Sequence, residues 1–508
     1  MRVPSFGLRF IVSSAVALSA ALALGACSSG SSTPDTTGDG GHGGGSSSGS
    51  GSSSSTSIIL LPQKDAGSDA SLRDASVAHD SGSAADVEQP PTDAELNTYP
   101  GYAPPAPQVQ NGGGPVLTHP IFIPVLFAGD ALETQITAFD DAIGPSMYWA
   151  TATTEYGVGA GKSVPPIILN ETLPTVIDDS QMQTWLATKI GTDPRFGALG
   201  ESVFDAGPFD AGSFDATAPF SDAASPTAKP PTNAIYMLYL PEGTEVTMDG
   251  AHSCSNGGFG GYHGNFSYPG NGANIVYAML PRCSEGGEAK IDVLTSTVSH
   301  ELVEAATDPY SEQPAFSSVD ANHFFWEILF TGGEVADMCE DFPGAYYHPA
   351  ETAMSAYLVQ RVWSNKAALA GQDPCVPGLT AAEEPVYFNA FPNVGQVVAQ
   401  YNGFQFPTYG VTIASGQQAT IELDLFSSAS TKGQEWSVSV IDGNSYFFGG
   451  TPDLTFSTDG NPLYGTNGDK LNVTITNTGT DGQGARPFVV INSLGATQTW
   501  WIGVVTSN

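Results

Sequence analysis

The run SHELVEAATDP, residues 299–309, sets His300, Glu301 and Glu304 at spacings that suit a metal site. On an α-helix, positions i and i+4 stand one above the other on one face, so His300 and Glu304 can grip one cation from the same side. Glu301, next to His300, would then reach a water activated by that cation and take its proton. Two helix ligands with an adjacent glutamate base are the logic of HExxH zinc peptidases. Here the second ligand is a carboxylate, which keeps zinc (Zn2+) as the expected cofactor but admits calcium, manganese and magnesium. It also leaves less positive charge on the ion and weakens water activation. The competing reading of so short a motif is an amphipathic helix with exposed acids.

A second acidic motif, GGEVADMCE, occupies residues 332–340. If a helix opens there, Glu334 and Asp337 share a face at i and i+3. Zinc peptidases of the gluzincin type take a third ligand from a glutamate on a later helix, and a nearby aspartate holds the first histidine in its tautomer. By that analogy Glu334 binds the metal and Asp337 supports His300. The reverse assignment stays open, Asp308 competes for the ligand role, and an acidic helix start stabilised by the helix dipole is the structural alternative. His263, in a Gly-rich stretch with Cys254 and Tyr262, is a further ligand candidate against a structural or exposed role.

The elements around these motifs alternate. An apolar run at Ile121–Phe127 predicts a buried strand, and Leu132, Ile136, Phe139 and Ile143 recur at helical spacing before Gly144-Pro145. A second helix is expected over residues 147–156, a strand at 167–169, and a helix carrying Met182, Trp185, Leu186 and Ile190 after an acidic start at Asp178 and Asp179. Strands follow at 234–240 and 273–280, the latter just ahead of the helix with His300. Such alternation implies a layered α/β domain, a mixed sheet with helices, over residues 109–378. The FDAG, FDAG, FDAT near-repeat lacks the spacing of a calcium loop and reads as a flexible surface insert at 204–231.

The start of the chain indicates export. Arg2 and Arg9 precede an apolar run that ends in Leu24-Gly25-Ala26-Cys27, a lipoprotein signal peptide over residues 1–26 with Cys27 as the lipidated residue. That run is short for a membrane span, so the membrane is expected as a partner through lipid on Cys27, at the outer membrane or cell surface. Residues 27–108, rich in Ser, Gly and Asp, cannot bury enough apolar surface to offset ordering entropy and read as a disordered tether. A formal net charge of −37 argues against nucleic acid or anionic lipid as partners.

Four cysteines remain after Cys27, an even set in an oxidising compartment. Sequence alone allows three pairings. Cys254 with Cys283 and Cys339 with Cys375 is favoured because each pair flanks one segment around the candidate site; free thiols or a metal-binding cluster are the alternatives.

After Pro377 the pattern changes to period two. Ile421, Leu423 and Leu425 alternate with Thr420, Glu422 and Asp424, and Leu471, Val473 and Ile475 do the same with polar neighbours. Together with five further short runs this predicts an all-β sandwich over residues 379–508, with one of Trp500 and Trp501 able to face solvent.

SHELVEAATDP, GGEVADMCE, the GYHG of residues 261–264 and YAMLPRC of residues 277–283 occur in an order that resembles the EXORDIUM-like, phosphate-induced protein family of plants and its microbial relatives. The resemblance spans roughly residues 116–377. It implies an extracellular, cell-wall associated protein linked to growth and signalling, with no assigned chemistry. The lipoprotein box, tether, FDAG insert and C-terminal segment depart from the plant pattern. Two functions follow: a surface lipoprotein with a zincin-like, zinc-dependent hydrolase domain of peptidase kind, with His300, Glu304 and Glu334 as ligands and Glu301 as base, or a non-catalytic surface protein that binds a peptide or a cell-wall glycan.

Overall fold

The computed structural model describes residues 98–508, apart from 102–104, 198–232, 256–257, 285–288, 331, 343, 378–385, 402, 461, 481–483 and 508. The signal segment, Cys27, most of the tether, the 204–231 insert and the boundary expected at 378/379 lie outside the described residues.

The chain is a mixed α/β unit followed by a β-rich unit. Four strands carry the site: β1 (Ile121–Phe127), β2 (Ala234–Tyr239), β3 (Tyr262–Ser267) and β4 (Asn274–Leu280). Their order is β1-β2-β4-β3, with β1, β2 and β4 parallel and β3 antiparallel to β4 at the edge; Lys162–Ser163 and Ile167–Leu169 pair with β1 on its other side. β1, β2 and most of β4 are buried throughout, as continuous apolar runs in a doubly covered sheet require. One face packs on α2 (Asp179–Thr192) through Met182, Leu186 and Ile190. The other packs on α1 (Glu133–Ile143) and α3 (Lys290–Thr307) through Ile136, Phe139, Leu294, Val298 and Leu302. Asp178 caps α2 in a reciprocal box with Gln181, so its acidic start is an N-cap as expected.

Two expectations fail here. His263 does not lie in a loop: it stands on β3 opposite Ala278, because the residues around it pair with β4. The glycines flanking that segment serve close packing. A Cβ on Gly261 would meet Thr297 of α3 and one on Gly264 would meet the Tyr277 ring. Nor does a helix open at Glu334. Residues 332–336 are irregular, a bend and a turn, and helix α4 (Asp337–Glu340) is a single turn that starts after Glu334, so Glu334 and Asp337 share no helix face.

The β-rich unit is a sandwich. Phe388–Asn393, Gln418–Ser427, Lys470–Asn477 and Leu454–Ser457 form one sheet, while Gly395–Tyr401, Phe404–Thr412, Thr497–Thr506, Arg486–Leu494, Trp436–Asp442 and Leu463–Gly465 form the second. Their inner residues, among them Leu423, Leu425, Val473, Trp436 and Val490, belong to the same core as the α3 face of the first unit. The join is aromatic: Trp326 lies edge-on to Trp501, Phe330 and Phe342 lie against Trp500, and Phe324 meets Phe406. Trp500 and Trp501 are therefore both buried and serve packing, and neither ring faces solvent. Opposite faces of one strand are each covered, one by the first unit's aromatics and one by Phe391 and Phe426 together with Trp326.

Candidate metal centre

Helix α3 presents His300, Glu301 and Glu304 inward, each 0 % exposed, which excludes the reading of an amphipathic helix with solvated acids. It runs between the sheet and the segment Val359–Gln360, so nearly its whole surface is covered. His263 from the edge strand, Glu334 from the turn leading into α4, Asp337 and Glu340 from α4 itself, and Asp308 at the end of α3 complete a buried group of two imidazoles and six carboxylates.

Glu304 lies at its middle. Its Oε2 is 3.0 Å from His300 Nε2 and 3.7 Å from His263 Nδ1, while Oε1 accepts the backbone N–H groups of Ala336 and Asp337 at 3.1 and 3.0 Å. His263 also stands 3.4 Å from Glu301 Oε2 and 3.8 Å from Glu334 Oε1. Asp337 Oδ1 is 3.5 Å from His300 Nε2.

Donor atoms within 4.8 Å of one another come from three sets: His263, Glu304 and Glu334; His300, Glu301 and Glu304; and His300, Asp337 and Glu340. The expected combination of His300 with Glu304 and Glu334 is not one of these sets, since Glu334 converges on His263 instead. Asp308 does not enter a set among the described residues; its Oδ1 accepts the Ala315 N–H at 2.6 Å.

The tautomer of His300 is set by Gln360, which sequence reasoning missed. Gln360 Nε2 donates to Ala336 O at 2.8 Å, so its Oε1 must accept from His300 Nδ1 at 2.9 Å. Nε2 of His300 then turns its lone pair into the group, the arrangement metal-binding histidines use. Asp337 touches that same Nε2 edge, so it stands among the donors instead of behind the imidazole as expected. A Cβ on Gly332 would run into the Asp337 carboxylate, which explains the glycine there. Glu340 was likewise missed, although it lies three residues after Asp337 in the same motif.

The electrostatics describe a site short of positive charge. Both oxygens of Glu301 and of Glu334, and Oε1 of Glu340, are buried with no hydrogen-bond partner, as are His263 Nδ1 and His300 Nε2. Burial pushes the Glu301 carboxyl up to about 7 against the pull of both histidines. Burial, then the charges of Glu304, Asp308 and Asp337, drive Glu334 well above the carboxylate range. Glu340 and Asp337 are raised by burial too. For His300 and His263 burial acts downward, but the surrounding carboxylates outweigh it and raise both. Buried carboxylates without donors are costly, and a bound cation removes that cost. The mixture of imidazole nitrogen and carboxylate oxygen suits zinc and its first-row neighbours better than calcium, which takes oxygen alone.

Two disulfides brace the group with the expected pairing. Cys254–Cys283 ties the segment ahead of β3 to the one after β4, and Cys339–Cys375 ties α4 to the strand pair beyond Gln360. Both fit an oxidising compartment. Among the described residues no helix is long and apolar enough to cross a membrane.

No family model matches the chain, and no curated protein matches it. Among solved structures, a conjugative transposon lipoprotein from Bacteroides eggerthii DSM 20697 is similar at 13% identity and a TM-score of 0.15, covering 24% of this chain and 97% of its own. A chimeric titin Z1Z2 carrying a decorin peptide is similar at 15% identity and a TM-score of 0.14, covering 24% and 97%. The titin M3 domain follows at 11% identity and 0.14, covering 24% and 99%. TM-scores of that size assign neither fold nor function.

Proposed function

We propose that this chain is an exported lipoprotein, tethered through Cys27, whose α/β domain is a zincin-like, zinc-dependent hydrolase acting on peptides. The observation that carries this reading is Glu301: a buried carboxylate with no hydrogen bond on either oxygen, set beside two imidazoles and Glu304. The layout supports it, since a helix bearing His-Glu-x-x-Glu lies beside a mixed sheet with an antiparallel edge strand. His263, Glu304 and Glu334 would hold the ion, with His300 Nε2 3.0 Å from Glu304 Oε2. A bound zinc would supply a Lewis acid that polarises a carbonyl and lowers the pKa of water.

The chain's own residues would do the rest. Glu301, beside the donors that would hold the ion, is placed to take a proton at Oε1 or Oε2 and return it to a leaving amine. Gln360 holds His300 in one tautomer, and the backbone amides of Ala336 and Asp337 hold Glu304 in one orientation.

The test is peptide cleavage by the zinc-loaded full chain against a proteome-derived peptide library. Cleavage is expected to fall about 10²- to 10⁴-fold in Glu301→Gln while zinc content is retained. Cleavage that persists in Glu301→Gln, or is absent from the wild type, defeats the hydrolase reading.

A second reading is favoured by one observation, the complete burial of Glu301. In it the cation is structural, as closed sites are, and the chain is a non-catalytic surface protein of EXORDIUM-like kind that binds a peptide or cell-wall glycan. Zinc retained with no cleavage of any peptide would support it.

A further inference from the structure

Eight buried donors are more than one cation needs. Zinc in a protein takes about four ligands, and its neighbours in the first transition row about six, some of them water. The group contains six carboxylates: Glu301, Glu304, Asp308, Glu334, Asp337 and Glu340. Their ion pairs within the group are with His263 and His300. The charges that act most strongly on Glu334, Asp337 and Glu340 are those of neighbouring carboxylates and of His300. With every carboxylate ionised, one divalent cation would leave four negative charges buried; a second would leave two.

The donors also form more than one convergent set. His263, Glu304 and Glu334 form one convergent set and His300, Asp337 and Glu340 another, with no residue in common. The two imidazoles come from different elements, β3 and α3, and both reach Glu304. Glu304 Oε2 faces both, 3.0 Å from His300 Nε2 and 3.7 Å from His263 Nδ1, and its other oxygen is held by two backbone amides. A carboxylate in that position can bridge two ions.

The second set has independent marks of a ligand site. His300 Nε2 is buried and turned inward by the Gln360 contact to Nδ1, 3.0 Å from Glu304 Oε2 and 3.5 Å from Asp337 Oδ1; Glu340 Oε1 is buried with no hydrogen-bond partner. Glu340 lies on the turn of α4 that the Cys339–Cys375 disulfide anchors, so its carboxylate is held on a braced backbone.

We propose that the centre binds two divalent first-row cations, one by His263, Glu304 and Glu334 and one by His300, Asp337 and Glu340, with Glu304 between them. This rests on the metal-centre reading above but not on hydrolysis. The set of His300, Glu301 and Glu304 overlaps both sites and leaves Glu301 at their junction, beside either ion.

Zinc stoichiometry tests it. The full mature chain, purified in detergent and stripped with chelator, is loaded with zinc alone, dialysed, and measured by plasma mass spectrometry beside circular dichroism. Two zinc ions per chain are expected for the wild type, one for Glu334→Gln, one for Glu340→Gln, and none for the double variant. One ion per chain in the wild type overturns the second site and leaves the proposed hydrolase standing; none overturns both. Two ions retained in Glu340→Gln, or any in the double variant, place the zinc elsewhere and overturn the assignment. Should the variants fail to fold, cobalt loading of the wild type decides: spin-coupled paired ions support the proposal, and isolated high-spin cobalt refutes it.

Discussion

Tyr262 and His263 are adjacent on β3 and face opposite layers, and the two layers treat buried acids in opposite ways. Behind Tyr262, Asp179 is the buried carboxylate; it accepts hydrogen bonds from Tyr262 and Tyr277 at 2.7 Å each and from Gln183 at 2.8 Å. Behind His263, Glu301 and Glu334 accept no well-formed hydrogen bond, and the His263 ring nitrogens stand 3.4 and 3.8 Å from them. Burial raises the pKa on both sides, but at Asp179 three hydrogen bonds push back, while at Glu334 neighbouring carboxylates push further the same way. A carboxylate that serves the fold is folded together with its donors; one with few of them is neutralised by a proton, a nearby imidazole or a cation.

Removing the cation should give the largest effect and should act on one face alone. At a concentration about 1,000 times its Kd, a ligand stabilises the folded state by about 4 kcal/mol. Calorimetry with and without chelator should show a loss of that order, and an unchanged transition would break the contrast between the faces. The metal-free protein should also become pH-sensitive. Glu301 is raised from 4.5 to about 7, so the folded state holds more protons than the unfolded between those values and stability falls as pH rises through that window. His263 and His300 are raised above 6.5, and the stability they contribute below that pH is lost as pH rises through their folded values, in the same direction. Melting temperature of the metal-free chain should therefore fall from pH 5 to pH 8, and Glu301→Gln should flatten the slope.

Gln360→Ala should come next in size. Loss of the contact that orients a metal-binding histidine typically weakens affinity about 10- to 100-fold. Zinc titration calorimetry should show that change without loss of helix content; affinity equal to wild type would mean that His300 needs no orienting partner.

The smallest effect is expected on the other face. Tyr262→Phe removes one of three hydrogen bonds to Asp179 and should cost about 1 to 2 kcal/mol in chemical denaturation. Zinc content should not change. A parallel loss of zinc would show that the edge strand transmits strain between its faces and that the layers are not independent.

How much of this was legible in the sequence depended on range. The strands Ile121–Phe127 and Ala234–Tyr239, helix α2 with its acidic cap and the period-two strands of the sandwich are local patterns, and each formed where the residues indicated. The pairing of His300 with Glu304 on one helix face is local too, because it needs only 3.6 residues per turn. Gly332 misled the reading of Glu334: its reason is the Asp337 carboxylate lying against it, a contact that no helical periodicity can express.

By itself, then, the sequence determined the elements, the helix-borne half of the centre and the residues eligible for the rest. Tertiary structure alone decided that His263 faces α3 instead of α2, that Gln360 orients His300, that Glu340 joins the donors, and that Trp500 and Trp501 are both covered. The physical reason is that spacing along a helix or strand is set by backbone geometry within a few residues. Which face of a strand is covered, and by what, depends on elements 60 or more residues away, as with Gln360 and His300. Burial, which raises the pKa of these acids and gathers them with two imidazoles into a candidate metal centre, exists only after those elements have met.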